Sequence, residues 1–318
     1  MGELKRPWCP SDWDDVRAHL KAPHDLVKRY RSMFMVKQMA PTLPEAIETF
    51  CNMLKPELRE SPDNLLLRHE MCYLLGQIAD ATAVPTLLRI LHDSSEAEIV
   101  RHEAAEALAA VGDAAAVSHL EKYLDADDLP GLRDTCELAV VGLKEDDDSR
   151  VCACHYPHPT KDPAKGDVNA TLDDVPQLSE TLLDESVDLY TRYKAMFTLR
   201  NLESTTALER VLLEDQSSTV FRHEIAYVLG QVASESSTEA LVKSLSREDE
   251  SDMVRHEAAI ALGTVGTDLC RDELKKFVND KNPIVADSCI VALATIEYWN
   301  FWEEKERQLG ADNSITDN

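Results

Sequence analysis

The tripeptide Arg-His-Glu occurs four times in the chain, at Arg68-His69-Glu70, Arg101-His102-Glu103, Arg222-His223-Glu224 and Arg255-His256-Glu257, each time inside an otherwise apolar segment. Neutral imidazole and carboxylate are both good donors to a divalent metal ion. Two histidines and one carboxylate that leave coordination positions open are typical of non-haem iron. A plainer reading makes each pair ordinary polar residues of a first helical turn, Glu complementing the helix dipole and Arg a solvated rim charge. The tripeptide is identical in all four copies while its neighbours vary, which points to a shared chemical task.

The spacing of the copies indicates how they are positioned. His69 and His102 are 33 residues apart, as are His223 and His256, and an offset of 154 carries the first pair onto the second. A period of this length marks a helical solenoid. Counted from each histidine, apolar residues fall at −2, +2, +5, +6 and +9, for example Leu67, Met71, Leu74, Leu75 and Ile78, which is one stripe of an α-helix. Each helix should stop at a small residue followed by a polar one: Ala79-Asp80, Gly112-Asp113, Ala233-Ser234 and Gly266-Thr267.

The duplication extends beyond the motifs. "RYRSMFMVKQM" from Arg29 matches "RYKAMFTLRNL" from Arg192, and "RDTCELAVVGL" and "ADSCIVALATI" fall where further copies would, without His-Glu. The reading is all-α, a solenoid of HEAT-like helical hairpins in two pseudo-symmetric halves of about four repeats, with the outer repeats as caps. The expected division is an N-terminal segment (1–27), a first half (28–148), an acidic, proline-containing linker (149–180), a second half (181–300) and a polar tail (301–318) that frays from Glu304.

Stacked equivalent helices lie about 10 Å apart, so neighbouring repeats can bring one histidine each, with a carboxylate, to a common point. One such set per half, with the halves facing, makes a two-metal centre. Small residues on the histidine face (Cys72 and Gly76, Ala105 and Ala109, Ala226 and Gly230, Ala259 and Gly263) leave room for close approach and for a ligand. The glutamates divide into two kinds. Glu70 and Glu224 share their face with Tyr73 and Gln77 and with Tyr227 and Gln231; Glu103 and Glu257 share theirs with Glu106 and Ala110 and with Ile260 and Thr264. One pair is expected to ligate metal and the other to bind substrate or tune the site from outside.

Composition narrows the partners. With 33 Lys and Arg against 59 Asp and Glu, the formal charge is −26. That disfavours nucleic acid and anionic membrane surfaces and favours cationic partners. No segment approaches the ~20 apolar residues of a membrane span and no signal peptide is evident. Eight scattered cysteines suggest a reducing compartment, with cytoplasm as the expected location.

The four motifs in two symmetric halves, the "LLDES…RYKAMFTLRNL" opening of the second half and the "DPA" at Asp162 resemble deoxyhypusine hydroxylase, a family of HEAT-repeat di-iron monooxygenases. The resemblance spans nearly the whole chain. It implies hydroxylation of the deoxyhypusine side chain on the basic loop of translation initiation factor five-A, with O2 as co-substrate and two Fe2+ ions as cofactor. Carried over by position, it implies one iron held by His69, His102 and Glu103 and the other by His223, His256 and Glu257. Glu70 and Glu224 then serve catalysis by binding the cationic amines of the substrate. The electron donor is not indicated. Ligand type alone does not select iron over manganese or zinc. The other readings are a non-catalytic acidic scaffold for a basic protein and a two-metal hydrolase using the same ligands. In the linker, Cys152, Cys154, His155 and His158 are spaced too tightly for an ordinary single zinc site, and a mobile loop is expected there.

Overall fold

The computed structural model describes residues 7–21, 25–58, 65–145 and 160–315, with side chains to 308. Among them the regular elements are helices alone, and they pair into eight hairpins. The first half has α1 (Trp13–Leu20) with α2 (Leu26–Met39), α3 (Glu45–Met53) with α4 (Leu65–Ile78), α5 (Val84–His92) with α6 (Glu98–Val111), and α7 (Val117–Leu120) with α8 (Pro130–Lys144). The second half has α9 (Val175–Leu183) with α10 (Leu189–Asn201), α11 (Thr206–Glu214) with α12 (Thr219–Val232), α13 (Thr238–Ser246) with α14 (Asp252–Val265), and α15 (Asp268–Leu274) with α16 (Pro283–Ile315). Even-numbered helices form the inner layer and odd-numbered ones the outer layer.

The expected helix stops are where the backbone turns left-handed: Ala79 (φ 55°), Gly112 (φ 79°), Ala233 (φ 52°) and Gly266 (φ 75°). The next residue then caps the following turn. Asp80 and Asp113 accept from the amides of Thr82 and Ala115 at 2.8 and 2.9 Å. Small residues bring the inner helices together. A Cβ added at Gly76, Gly230 or Gly263 would lie 2.8, 3.0 or 2.7 Å from the Cα of Ala107, Ala261 or Ala292 on the next inner helix. That approach is what lets side chains of neighbouring repeats converge.

The arginine of each motif is not a solvated rim charge. Arg68, Arg101 and Arg255 are at most 5% exposed. Arg101 and Arg255 each donate from Nε to a carbonyl at the end of their own outer helix, that of Leu91 (3.1 Å) and of Leu245 (2.9 Å). Three of the four also reach an acid before the next inner helix: Arg68 to Glu96, Arg222 to Glu250 and Arg255 to Asp280. Arg101 instead lies over the Tyr123 ring. These arginines tie hairpin to hairpin, and each directly precedes a motif histidine.

The two inner layers meet at both ends. Arg31 of α2 donates to the Ala294 carbonyl of α16 at 2.6 Å and lies over Tyr298. At the other junction Ser218, the N-cap of α12, donates to Asp134 of α8 at 2.7 Å. The halves therefore enclose a shared interior.

Four expectations are corrected. Helix α9 begins at Val175, inside the expected linker, and α1 gives the N-terminal segment a packed helix. The stretch from Glu304 does not fray over its described part: α16 runs to Ile315, and Glu304 pairs with Arg307. One stretch, Pro283–Gln308, is long and apolar enough to cross a membrane, but 56% of its most apolar window is buried, and α16 packs on α14, α2 and α4 as a core helix does. The Cys152, Cys154, His155 and His158 cluster lies outside the described residues.

Candidate metal centre

Helices α4, α6, α12 and α14 each have 14 residues, and in each His is the fifth residue and Glu the sixth. The pairs thus belong to the second turn, where the dipole argument for an N-terminal glutamate no longer applies. The identical register, combined with the close helix packing, sets all four histidines at one level inside the enclosure. They are 0 to 4% exposed, and the four glutamates 3 to 6%.

The imidazoles form a compact four-membered cluster. Ring centroids are 5.6 Å apart for His69 and His102, 5.4 Å for His223 and His256, and 5.8, 4.9 and 5.3 Å for the cross-half pairs His69–His223, His69–His256 and His102–His223. Glu103 Oε2 lies 3.2 Å from His69 Nε2 and 4.0 Å from His102 Nε2, and Glu257 Oε2 lies 3.7 Å from His223 Nε2 and 4.0 Å from His256 Nε2. One donor atom from each of His69, His102 and Glu103 falls within 4.8 Å of the others; so does the cross-half set of His69, His223 and His256. Glu70 and Glu224 flank these groups, with Glu70 Oε1 3.7 Å from His69 Nδ1.

Both nitrogens of His69, His223 and His256, and Nε2 of His102, are buried with no hydrogen-bond partner among the described residues. The short His69–Glu103 approach is an ion-pair contact rather than an aligned hydrogen bond. An unmade hydrogen bond on a buried polar group costs roughly 1–3 kcal/mol, so four rings carrying seven such nitrogens suit a further ligand, to which each ring can give one nitrogen. Divalent metal ions fit the donor set. His102, His256 and His223 are held neutral, the last with its pKa pushed down to about 3, by burial first and the neighbouring imidazoles second. Neutral imidazole is the ligating form. His69 is the exception: burial opposes its charge, but Glu103 and Glu70 outweigh burial and raise it to about 10. Burial, with Glu70 adding to it, raises Glu257 to about 8, and burial with neighbouring carboxylates raises Glu224 well above its ordinary range. Charge of this kind, crowded away from water, is relieved by bound cations.

Sequence reasoning missed Thr135, which occupies the histidine position of the next repeat. Its hydroxyl donates to the Gly131 carbonyl at 2.9 Å and lies 3.5 Å from His102 Nδ1. With its one proton committed, the oxygen can only accept from Nδ1–H, which leaves the Nε2 lone pair facing Glu103. The repeat frame contained this signal, because Thr135 stands 33 residues after His102.

From the cluster a cavity of about 560 Å³ opens outward between α2 and α16, past Tyr30, Phe34, Tyr298 and Trp299. The end of the linker crosses it as a strap. Gln77 exchanges two hydrogen bonds with the Lys161 backbone, both 3.0 Å. Its symmetry mate Gln231 donates to Thr160 Oγ1 (3.3 Å) and accepts from Arg200 (2.8 Å), which also pairs with Asp162 at 2.6 Å. Asp162, the first residue of "DPA", is thus a fastening point.

An all-α repeat solenoid with a buried His/Glu cluster at the end of a cavity is the architecture of a metalloenzyme. A HEAT-repeat family model matches residues 52–140 and 205–294. Deoxyhypusine hydroxylase of Danio rerio is 38% identical over 87% of this chain and 88% of its own length, and those of Arabidopsis thaliana and Schizosaccharomyces pombe are 40% and 37% identical over 86% and 89% of this chain and 86% and 90% of their own. The structure of human deoxyhypusine hydroxylase in complex with glycerol superposes with a TM-score of 0.81 at 37% identity, covering 90% of this chain and 96% of that one. The chain belongs to the deoxyhypusine hydroxylase family.

Proposed function

We propose that this protein is a deoxyhypusine monooxygenase, acting on the deoxyhypusine side chain in the basic loop of translation initiation factor five-A, with O2 as co-substrate and two irons as cofactor. The observation that carries the reading is the buried cluster of four histidines and four glutamates at the inner end of a cavity, in a chain of this family. The scaffold and hydrolase readings are not favoured, because the relatives bear the hydroxylase name.

One iron is assigned to His69, His102 and Glu103 and the other to His223, His256 and Glu257. When bound, the pair supplies O2 activation. The protein's own part is recognition and positioning. Glu70 and Glu224, on the cavity side of the cluster, accept N–H from the substrate's ammonium groups and hold its methylene chain across the cluster. Tyr73 and Tyr227 floor the cavity between them, and the walls exclude water from the site. The charge of −26 draws in a polycationic substrate. Six free cysteines among the described residues fit a reducing compartment, and cytoplasm is the proposed location.

The test combines mass spectrometry of the deoxyhypusine-bearing factor after incubation with O2 and reductant, metal analysis and a visible spectrum. Gain of one oxygen atom by coloured, iron-loaded protein is expected. Iron-free, colourless yet fully active protein would sink the reading.

A further inference from the structure

The offset of 154 that relates the two halves breaks down at several positions of the cavity wall, and at one of them it exchanges a carboxyl for a hydrocarbon. It carries Glu70 to Glu224, Tyr73 to Tyr227, Gln77 to Gln231 and Glu103 to Glu257, like onto like. Three residues beyond Glu103 it carries Glu106 onto Ile260. Both residues line the cavity. One wall therefore presents an extra carboxyl where the other presents a branched hydrocarbon, each at the ninth position of its helix, four residues after the motif histidine. Glu106 lies one turn beyond Glu103 on the same face of α6, and no ion pair reaches it among the described residues.

A site with two equivalent glutamates can take an extended dication in either direction. An acid opposed by an isoleucine removes that degeneracy, because a charged nitrogen against Ile260 would be desolvated without a partner while one against Glu106 would be paired. We infer that Glu106 is a specificity-determining residue that receives a cationic nitrogen of the substrate and, with Ile260 against the methylene chain, fixes the direction in which the side chain lies across the metal cluster. The inference rests on the proposed function, since it presupposes an aliphatic substrate carrying ammonium groups. It assigns Glu106 no metal.

The experiment compares wild type with Glu106→Gln, Glu106→Ile and the exchange variant Glu106→Ile/Ile260→Glu. The probe is a peptide containing Nε-(4-aminobutyl)lysine, with kcat, KM and bound metal measured for each. Loss of one charge-assisted hydrogen bond predicts KM raised about tenfold to a hundredfold in both single variants, with bound metal unchanged and kcat within about threefold. The exchange variant, with the acid returned on the opposite wall, should recover substrate affinity while kcat falls, because the chain then lies reversed. Unchanged KM in Glu106→Gln would overturn the inference, as would loss of metal in that variant, which would make Glu106 a support of the cluster. If wild type itself neither binds nor oxidises the peptide, the functional reading fails first, and a variant series on an active wild type separates the two.

Discussion

The hydroxyls of Tyr73 and Tyr227 meet at 2.8 Å, and the two residues are 154 positions apart, the offset that relates the halves. Each tyrosine meets its own symmetry mate, so the pseudo-two-fold axis passes between them, above the histidine cluster. The pair is nonetheless unequal: Tyr227 also accepts from Gln231 Nε2 at 2.9 Å, while the Gln77 amide turns to the strap.

That inequality predicts different outcomes for the two phenylalanine variants. Tyr227→Phe strips partners from both Tyr73 and Gln231 and should cost about 1–3 kcal/mol, whereas Tyr73→Phe leaves Tyr227 bonded to Gln231 and should cost about 0.5–1.5 kcal/mol. Urea denaturation of the two variants checks the order; an equal loss would contradict the asymmetric network.

Metal content should report on the cluster residue by residue. His102→Ala or His256→Ala is expected to lower bound iron by about half, as the proposed assignment of one ion to each set of two histidines and a carboxylate requires. Glu70→Gln and Glu224→Gln should keep the metal and lose substrate affinity. Elemental analysis of purified variants, with the remote His19→Ala as control, distinguishes the two classes.

Helix spacing is set at Gly230, whose added Cβ would press on the Ala261 backbone at 3.0 Å. Gly230→Ala should push α12 from α14, costing about 1–3 kcal/mol, and should weaken metal binding although it replaces no ligand. Ala233→Gly is the contrasting change. It relieves a left-handed alanine and should raise stability by about 1 kcal/mol, measured by thermal unfolding of the metal-free protein.

The arginine clamps predict an acid limb to stability. Burial pushes Asp280 up, but hydrogen bonds from Arg255 and the Asn282 amide outweigh it and hold the carboxyl below its ordinary value of 3.8. A depressed carboxylate stabilises the fold above its unfolded pKa, and that contribution disappears as pH falls from about 5 through the lowered value. Asp280→Asn should therefore lower stability at neutral pH and flatten its decline below pH 4. An unchanged slope in a denaturation series from pH 7 to 3 would contradict the clamp.

Much of this was legible in the residues themselves. Period, phase and stop signals identified the inner helices, because burying an apolar stripe at 3.6 residues per turn leaves a periodic trace. The eight His and Glu residues were visible because repetition separates a retained tripeptide from its drifting neighbours. The burial and partners of the arginine were not legible: its acids stand 28 residues on from Arg68 and Arg222 and 25 on from Arg255, outside any local window. The helix beyond Glu304 was not legible because its residues there are polar and, among the described side chains, Glu304 to Gln308 are half-buried or exposed and leave no apolar stripe.

By itself, then, the sequence determined the solenoid, the register of the four motifs and the identity of the clustered side chains, all consequences of local periodicity. Tertiary structure alone decided that α2 meets α16 and α8 meets α12, so that the two halves close on one interior. Only that closure brings His69 within reach of His223 and His256, joins Tyr73 to Tyr227, and puts Glu106 and Ile260 on the wall of one cavity. These contacts depend on the angle between halves, which is summed from small rotations at every helix packing and leaves no trace in any one stretch of chain.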